Sequence, residues 1–117
     1  MNIIRKTLKL SSEQYYEKHL LIINHILPIQ MTPHEAKVLA AFMSLKGDIA
    51  EDPFGTSGRK LVKKRLNISS GGLGNYLDQL KRKEFISLDG KKLKILPLLQ
   101  PDRIEQGYQF KLINDGV

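Results

Sequence analysis

The sequence predicts an α+β domain: a three-helix head, a small antiparallel sheet behind it and a strand-helix extension in front. Three observations predict it. Thr32-Pro33-His34-Glu35 reads as a helix start, with Thr32 as the cap and Pro33 where a missing N–H costs nothing. Glu35 can return a bond to the Thr32 amide, completing a capping box. Leu73, Leu77 and Leu80 recur at helical spacing, and Asp89-Gly90 stands between two short extended runs as a hairpin turn.

Taken in order, residues 3–10 alternate roughly between apolar and basic side chains and read as a short edge strand. Ser11 or Ser12 can cap a helix over residues 13–27, with Glu13 in its first turn. Tyr16, Leu20, Ile23 and Leu27 give it one apolar stripe, and Leu21, Ile22 and Ile26 widen it. The breadth of that surface predicts a homodimer contact at Tyr16, Leu20, Ile23 and Leu27, the alternative being that the helix roofs the head. The chain accordingly divides into an extension, 1–31, for packing or dimerisation, and a main domain, 32–117.

The capping box opens a helix over 33–46, with Val38, Leu39, Phe42 and Leu45 inward and Gly47 ending it. Residues 48–58, rich in acids, Gly and Pro, read as a loop. A helix over 58–67 buries Leu61, Val62 and Leu66, and another over 70–83 buries Leu73, Leu77 and Leu80. Strands near 86–88 and 92–96 flank the Asp89-Gly90 turn, Pro97 breaks the pattern, and residues 108–113 look like a last strand.

Charge is distributed unevenly. Residues 59–94 hold eleven Lys/Arg against three Asp/Glu, a net of +8 in a chain whose total is +7. An excess confined to one stretch makes a directed field, and over a helix-turn-helix pattern it points to nucleic acid. The 117 residues fit one domain, and 41% hydrophobic content supplies a core. Cysteine is absent, which removes disulfides and thiolate chemistry and fits a cytoplasmic chain. No signal-peptide pattern or membrane-length apolar run is present, so no membrane partner is expected.

The stretch from Leu61 to Ile86 resembles the core of winged-helix DNA-binding domains. Leu66, Ile68 and Ser69 match the turn before that superfamily's recognition helix, and Leu73, Leu77 and Leu80 match its packed face. Lys81-Arg82-Lys83 and Phe85-Ile86 match its basic, aliphatic exit, with Glu84 where Gly is common. The resemblance covers roughly residues 32–113 and, with the extension and the long 48–58 loop, looks most like a phage-type protein, which places it in a bacterial or host-cell cytoplasm. It implies non-catalytic double-stranded DNA binding in transcriptional or replication control. The competing class is an adaptor of the same fold acting on a polymerase or another phage or host protein.

On that reading Ser70, Gly71, Gly74, Asn75 and Gln79 face the bases, since Asn and Gln each pair bidentately with adenine. Lys60, Lys63, Lys64, Arg65, Lys81 and Arg82 contact phosphate, and Lys91, Lys92 and Lys94 occupy the wing. Gly71, Gly72 and Gly74 weaken a helix by about 1 kcal/mol each relative to Ala, a cost that makes sense where the backbone approaches something closely. Signals for catalysis are thin. His19, His25 and His34 do not have metal-ligand spacing, and Tyr15-Tyr16 lacks the His-x-His motif of tyrosine nickases. No phosphate-binding glycine loop occurs. No enzyme activity and no cofactor or metal are expected.

Overall fold

A computed structural model describes residues 1–116. The chain is α+β, with helices α1 (Ser12–Ile23), α2 (Pro33–Met43), α3 (Thr56–Leu66) and α4 (Ser70–Arg82). They are followed by strands β1 (Ile86–Asp89) and β2 (Lys92–Ile95), and short 3-10 turns occur at Asn24–Ile26, Gly47–Glu51 and Pro97–Leu99. Among the described residues no helix is long and apolar enough to cross a membrane.

Capping fixes where these helices begin. Ser11 and Gln14 form a capping box on α1, a reciprocal pair that the sequence narrows only to Ser11 or Ser12. Thr32 and Glu35 form the expected one on α2, with Pro33 in the first turn. Ser69 caps α4 by accepting from the Gly72 amide at 3.0 Å. The α3–α4 turn needs a left-handed residue, and Asn67 supplies it with φ +52°.

Helices α1 and α2 end at Ile23 and Met43, short of the expected 27 and 46, and α4 and the hairpin close differently from the sequence-based expectation for local reasons. Helix α4 closes with Glu84 at φ +63°, its amide bonded to the Lys81 carbonyl at 3.0 Å. The Phe85 amide bonds back to Leu80, so the exit is a Schellman motif whose usual glycine is a glutamate. The hairpin pairs Asp89 with Lys92, so its two turn residues are Gly90 and Lys91, one position later than expected. Gly90 takes φ +67° and Lys91 does not take a positive φ, the pattern of a type II′ turn.

The core is one cluster to which every helix and both strands contribute. Leu20, Leu39, Leu80 and Leu99 are fully enclosed. The 48–58 segment is not a plain solvent loop: α3 begins at Thr56, and Phe54 is buried with its ring 4.5 Å from that of Phe42. Gly58 is required there, because a Cβ would fall 1.7 Å from the Pro53 carbonyl oxygen.

Three expectations are corrected. Residues 3–10 and 108–113 form no strand, because neither segment finds a hydrogen-bonding edge: the sheet contains only β1 and β2. The dimer contact at Tyr16, Leu20, Ile23 and Leu27 is not available on the surface. Leu20, Ile23 and Leu27 lie inside the chain's own core, and Tyr16 packs against it. Helix α1 therefore roofs α2, which is the packing alternative for the 1–31 extension, and its residues share a core with 32–99.

Candidate nucleic-acid interface

Helix α4 buries Leu73, Leu77 and Leu80 and turns the opposite face to solvent. On that face Gly71, Asn75, Asp78 and Arg82 follow one another at intervals of four, three and four, with Ser70 and Gln79 at its margins. All six are exposed, while Gly74 is half-buried beside them. The expected base-facing set is thus brought to one surface. Asp78 is absent from the sequence-based set, although the same period from Asn75 locates it on this face.

Of the three helix glycines, Gly71 and Gly74 have no explanation among the described residues. A Cβ on Gly71 or Gly74 would meet nothing within 4 Å, and one on Gly72 would meet only the Ser69 hydroxyl at 3.2 Å. Nothing in the fold demands a glycine at 71 or 74, where each weakens the helix.

The basic residues sort into two groups. Lys83 is used internally: its Nζ lies 2.6 Å from Glu35 Oε1 and 3.0 Å from the Gln30 carbonyl. Arg59 donates from Nε to the Phe54 carbonyl at 2.6 Å and helps hold the segment before α3. The other nine are the residues expected to contact phosphate or form the wing, and none has an acidic partner among the described residues. Lys60, Lys64, Arg65, Lys81 and Arg82 are exposed, whereas Lys63 is half-buried and donates to Ser70 Oγ at 2.9 Å. That bond joins α3 to the first turn of α4, so Lys63 also positions an expected base contact.

The hairpin carries the remaining three. Strand register puts Ser87 opposite Lys94 and Asp89 opposite Lys92, giving both lysines to the hairpin's outer face. Lys91 sits in the turn. Ile86 and Leu93 hold the inner face in the core.

Compared with protein-family models, curated proteins and solved structures, the chain matches none.

Elsewhere the polar chemistry is structural. His19 is buried; its Nε2 bonds the Leu99 carbonyl at 2.8 Å and its Nδ1 meets the Tyr108 hydroxyl at 2.5 Å. A carbonyl can only accept, so Nε2 carries the proton and Nδ1 accepts from Tyr108. Burial holds the His19 pKa below its ordinary value, and burial, then the neighbouring Tyr15, pushes Tyr108 up to about 12. Tyr15 donates to the Asp102 carbonyl at 2.6 Å and stacks edge-on against Tyr16, which gives both tyrosines a packing role. No group of His, Cys, Asp or Glu among the described residues is arranged to hold a metal ion.

Proposed function

We propose that this chain is a winged-helix protein that binds double-stranded DNA without catalysis, α4 entering the major groove and the β1–β2 hairpin serving as the wing. The observation that carries the reading is the concentration of cations: of eleven Lys/Arg in residues 59–94, only Lys83 has an acidic partner among the described residues. Such a surface neutralises phosphate and releases counterions, which supplies affinity for any sequence. Lys60, Lys64, Arg65, Lys81 and Arg82 supply most of that affinity, with Lys91, Lys92 and Lys94 reaching backbone beyond the groove.

Selectivity comes from the outer face of α4. Asn75 and Gln79 pair with adenine, Ser70 bonds a base edge or phosphate, and Asp78 favours a cytosine amino group. Gly71 and Gly74 keep that face low, so the helix backbone can seat deeply in the groove. Selection on defined duplexes tests this division of labour. Asn75→Ala should flatten the preference among sequences by about 1–3 kcal/mol while leaving affinity for random DNA nearly unchanged. Lys64→Ala should weaken all sequences alike. Loss of random-duplex affinity in Asn75→Ala as large as in Lys64→Ala would reject the groove assignment of α4. Tight binding to an acidic protein with none to DNA would favour the adaptor class instead.

A further inference from the structure

We infer that the cavity between α1 and the segments 6–10 and 104–108 binds a small amphipathic anion, an alkyl tail carrying one carboxylate. Those two segments, with Lys18, His19 and Ile22 of α1, line a cavity of about 660 Å³. Small-molecule pockets span about 300–1,000 Å³, so the space suits one ligand of that size. Apolar walls set the ligand's body. Leu8, Leu10 and Ile104 line the cavity yet are 51%, 37% and 89% exposed, so aliphatic surface there is left uncovered by the chain itself. The aromatic rings are already engaged. Tyr15 packs edge-on against Tyr16, and the Tyr108 ring lies 5.7 Å from that of His19. An alkyl tail therefore fits these walls better than a stacked ring.

Charge sets the head. Lys6, Lys9 and Lys18 line the cavity against one acid, Glu105. None of the three lysines has an acidic partner among the described residues. The remaining polar groups are used within the fold: His19 bonds the Leu99 carbonyl and the Tyr108 hydroxyl, and Tyr15 donates to the Asp102 carbonyl. Burial lowers the His19 pKa, so its ring is neutral at pH 7 and the attraction for an anion comes from the lysines. A lysine suits this pairing, because its stem lies along apolar surface while its ammonium stays at the wet mouth. The 6–10 wall also gains from an occupant. No backbone group of residues 6–10 makes a hydrogen bond among the described residues, so an alkyl tail adds apolar contact to a wall held by side chains alone.

Calorimetric titration of the full chain with octanoate, below its micelle concentration, tests this, with 1-octanol and inorganic phosphate as controls. One octanoate should bind per chain, 1-octanol about tenfold more weakly, and phosphate not detectably. Methyl resonances of Leu8 and Ile22 should shift on adding octanoate. Lys6→Gln, Lys9→Gln and Lys18→Gln together should weaken octanoate about tenfold. Leu8→Asp should abolish binding. Both variants should keep the melting temperature of the free chain, since these side chains lie outside the core. Absence of octanoate binding overturns the inference, as does binding that both variants leave unchanged. Equal affinity for 1-octanol would make the lysines irrelevant, and phosphate binding as tight as octanoate would make the tail irrelevant; either overturns it. Neither DNA nor the α4 surface enters the titration, so its outcome is separate from that of duplex binding.

Discussion

Lys83, at the end of α4, reaches Glu35 in the first turn of α2, with Nζ 2.6 Å from Oε1. The same oxygen accepts the Thr32 amide at 2.8 Å, so one buried carboxylate closes a capping box and receives a cation from the far end of another helix. Glu35 is 1% exposed, and its second oxygen has no partner. Burial alone would raise its pKa, but the Lys83 bond and the two Thr32 bonds outweigh burial and leave it below the ordinary value. A basic residue in the cluster thus serves the fold rather than the proposed interface.

Removing that cation strands a buried charge. Lys83→Met should destabilise the chain by about 3 kcal/mol in urea unfolding, and Glu35→Gln in the same background should recover part of the loss. Because the folded carboxyl pKa is depressed, the stability it contributes is present above the ordinary 4.5 and is lost as pH falls through the folded value. Wild-type stability should fall in that acid window, and Glu35→Gln should flatten the fall.

A separate window belongs to His19. Its folded pKa lies below the ordinary 6.5, so the unfolded chain takes up the proton first as pH falls. Stability should decline once pH drops below 6.5 and level off near the folded pKa. A proton on Nδ1 faces the Tyr108 hydroxyl and forces it to turn its own proton away. Urea midpoints across pH should show a decline that is absent in His19→Gln, and exchange of the Ile104 and Glu105 amides should rise in the same range.

The glycines should behave in opposite ways. Gly58→Ala drives a methyl into the Pro53 carbonyl and should cost about 3 kcal/mol, the upper end for overpacking. Gly71→Ala and Gly74→Ala enter open space and should each stabilise the helix by about 1 kcal/mol. If those two glycines let the backbone approach DNA, the stabilised variants should bind duplex more weakly. Melting temperature and duplex affinity measured on the same proteins decide this.

Where a signal was local, it was legible. The Thr32–Glu35 box, the leucines of α4 and the hairpin each depend on neighbours within a few residues, and each is present, the hairpin turn displaced by one residue. The outer face of α4 followed from the same periodicity, apart from Asp78. What failed depended on partners distant in sequence. The pattern of residues 3–10 and 108–113 is strand-like, but a strand must also reach an edge, and among the described residues neither segment pairs with the outer edges of β1 or β2. The breadth of the α1 stripe signalled burial correctly, whereas its partner is α2 and the inserted Leu99, not another molecule. Phe54 was hidden because one aromatic in an acidic, Gly-containing segment carries no periodicity. The use of Lys83 was hidden because Glu35 lies 48 residues away.

If the basic surface around α4 binds duplex DNA through its phosphates, binding to random duplex must depend on salt. For the wild type, log affinity should fall steeply and linearly with log salt. In Lys64→Ala, Arg82→Ala, Lys92→Ala together, the slope should shrink by about 0.9 for each phosphate that is no longer neutralised. Absence of duplex binding at low salt, or an identical slope in the triple variant, would contradict phosphate-directed binding.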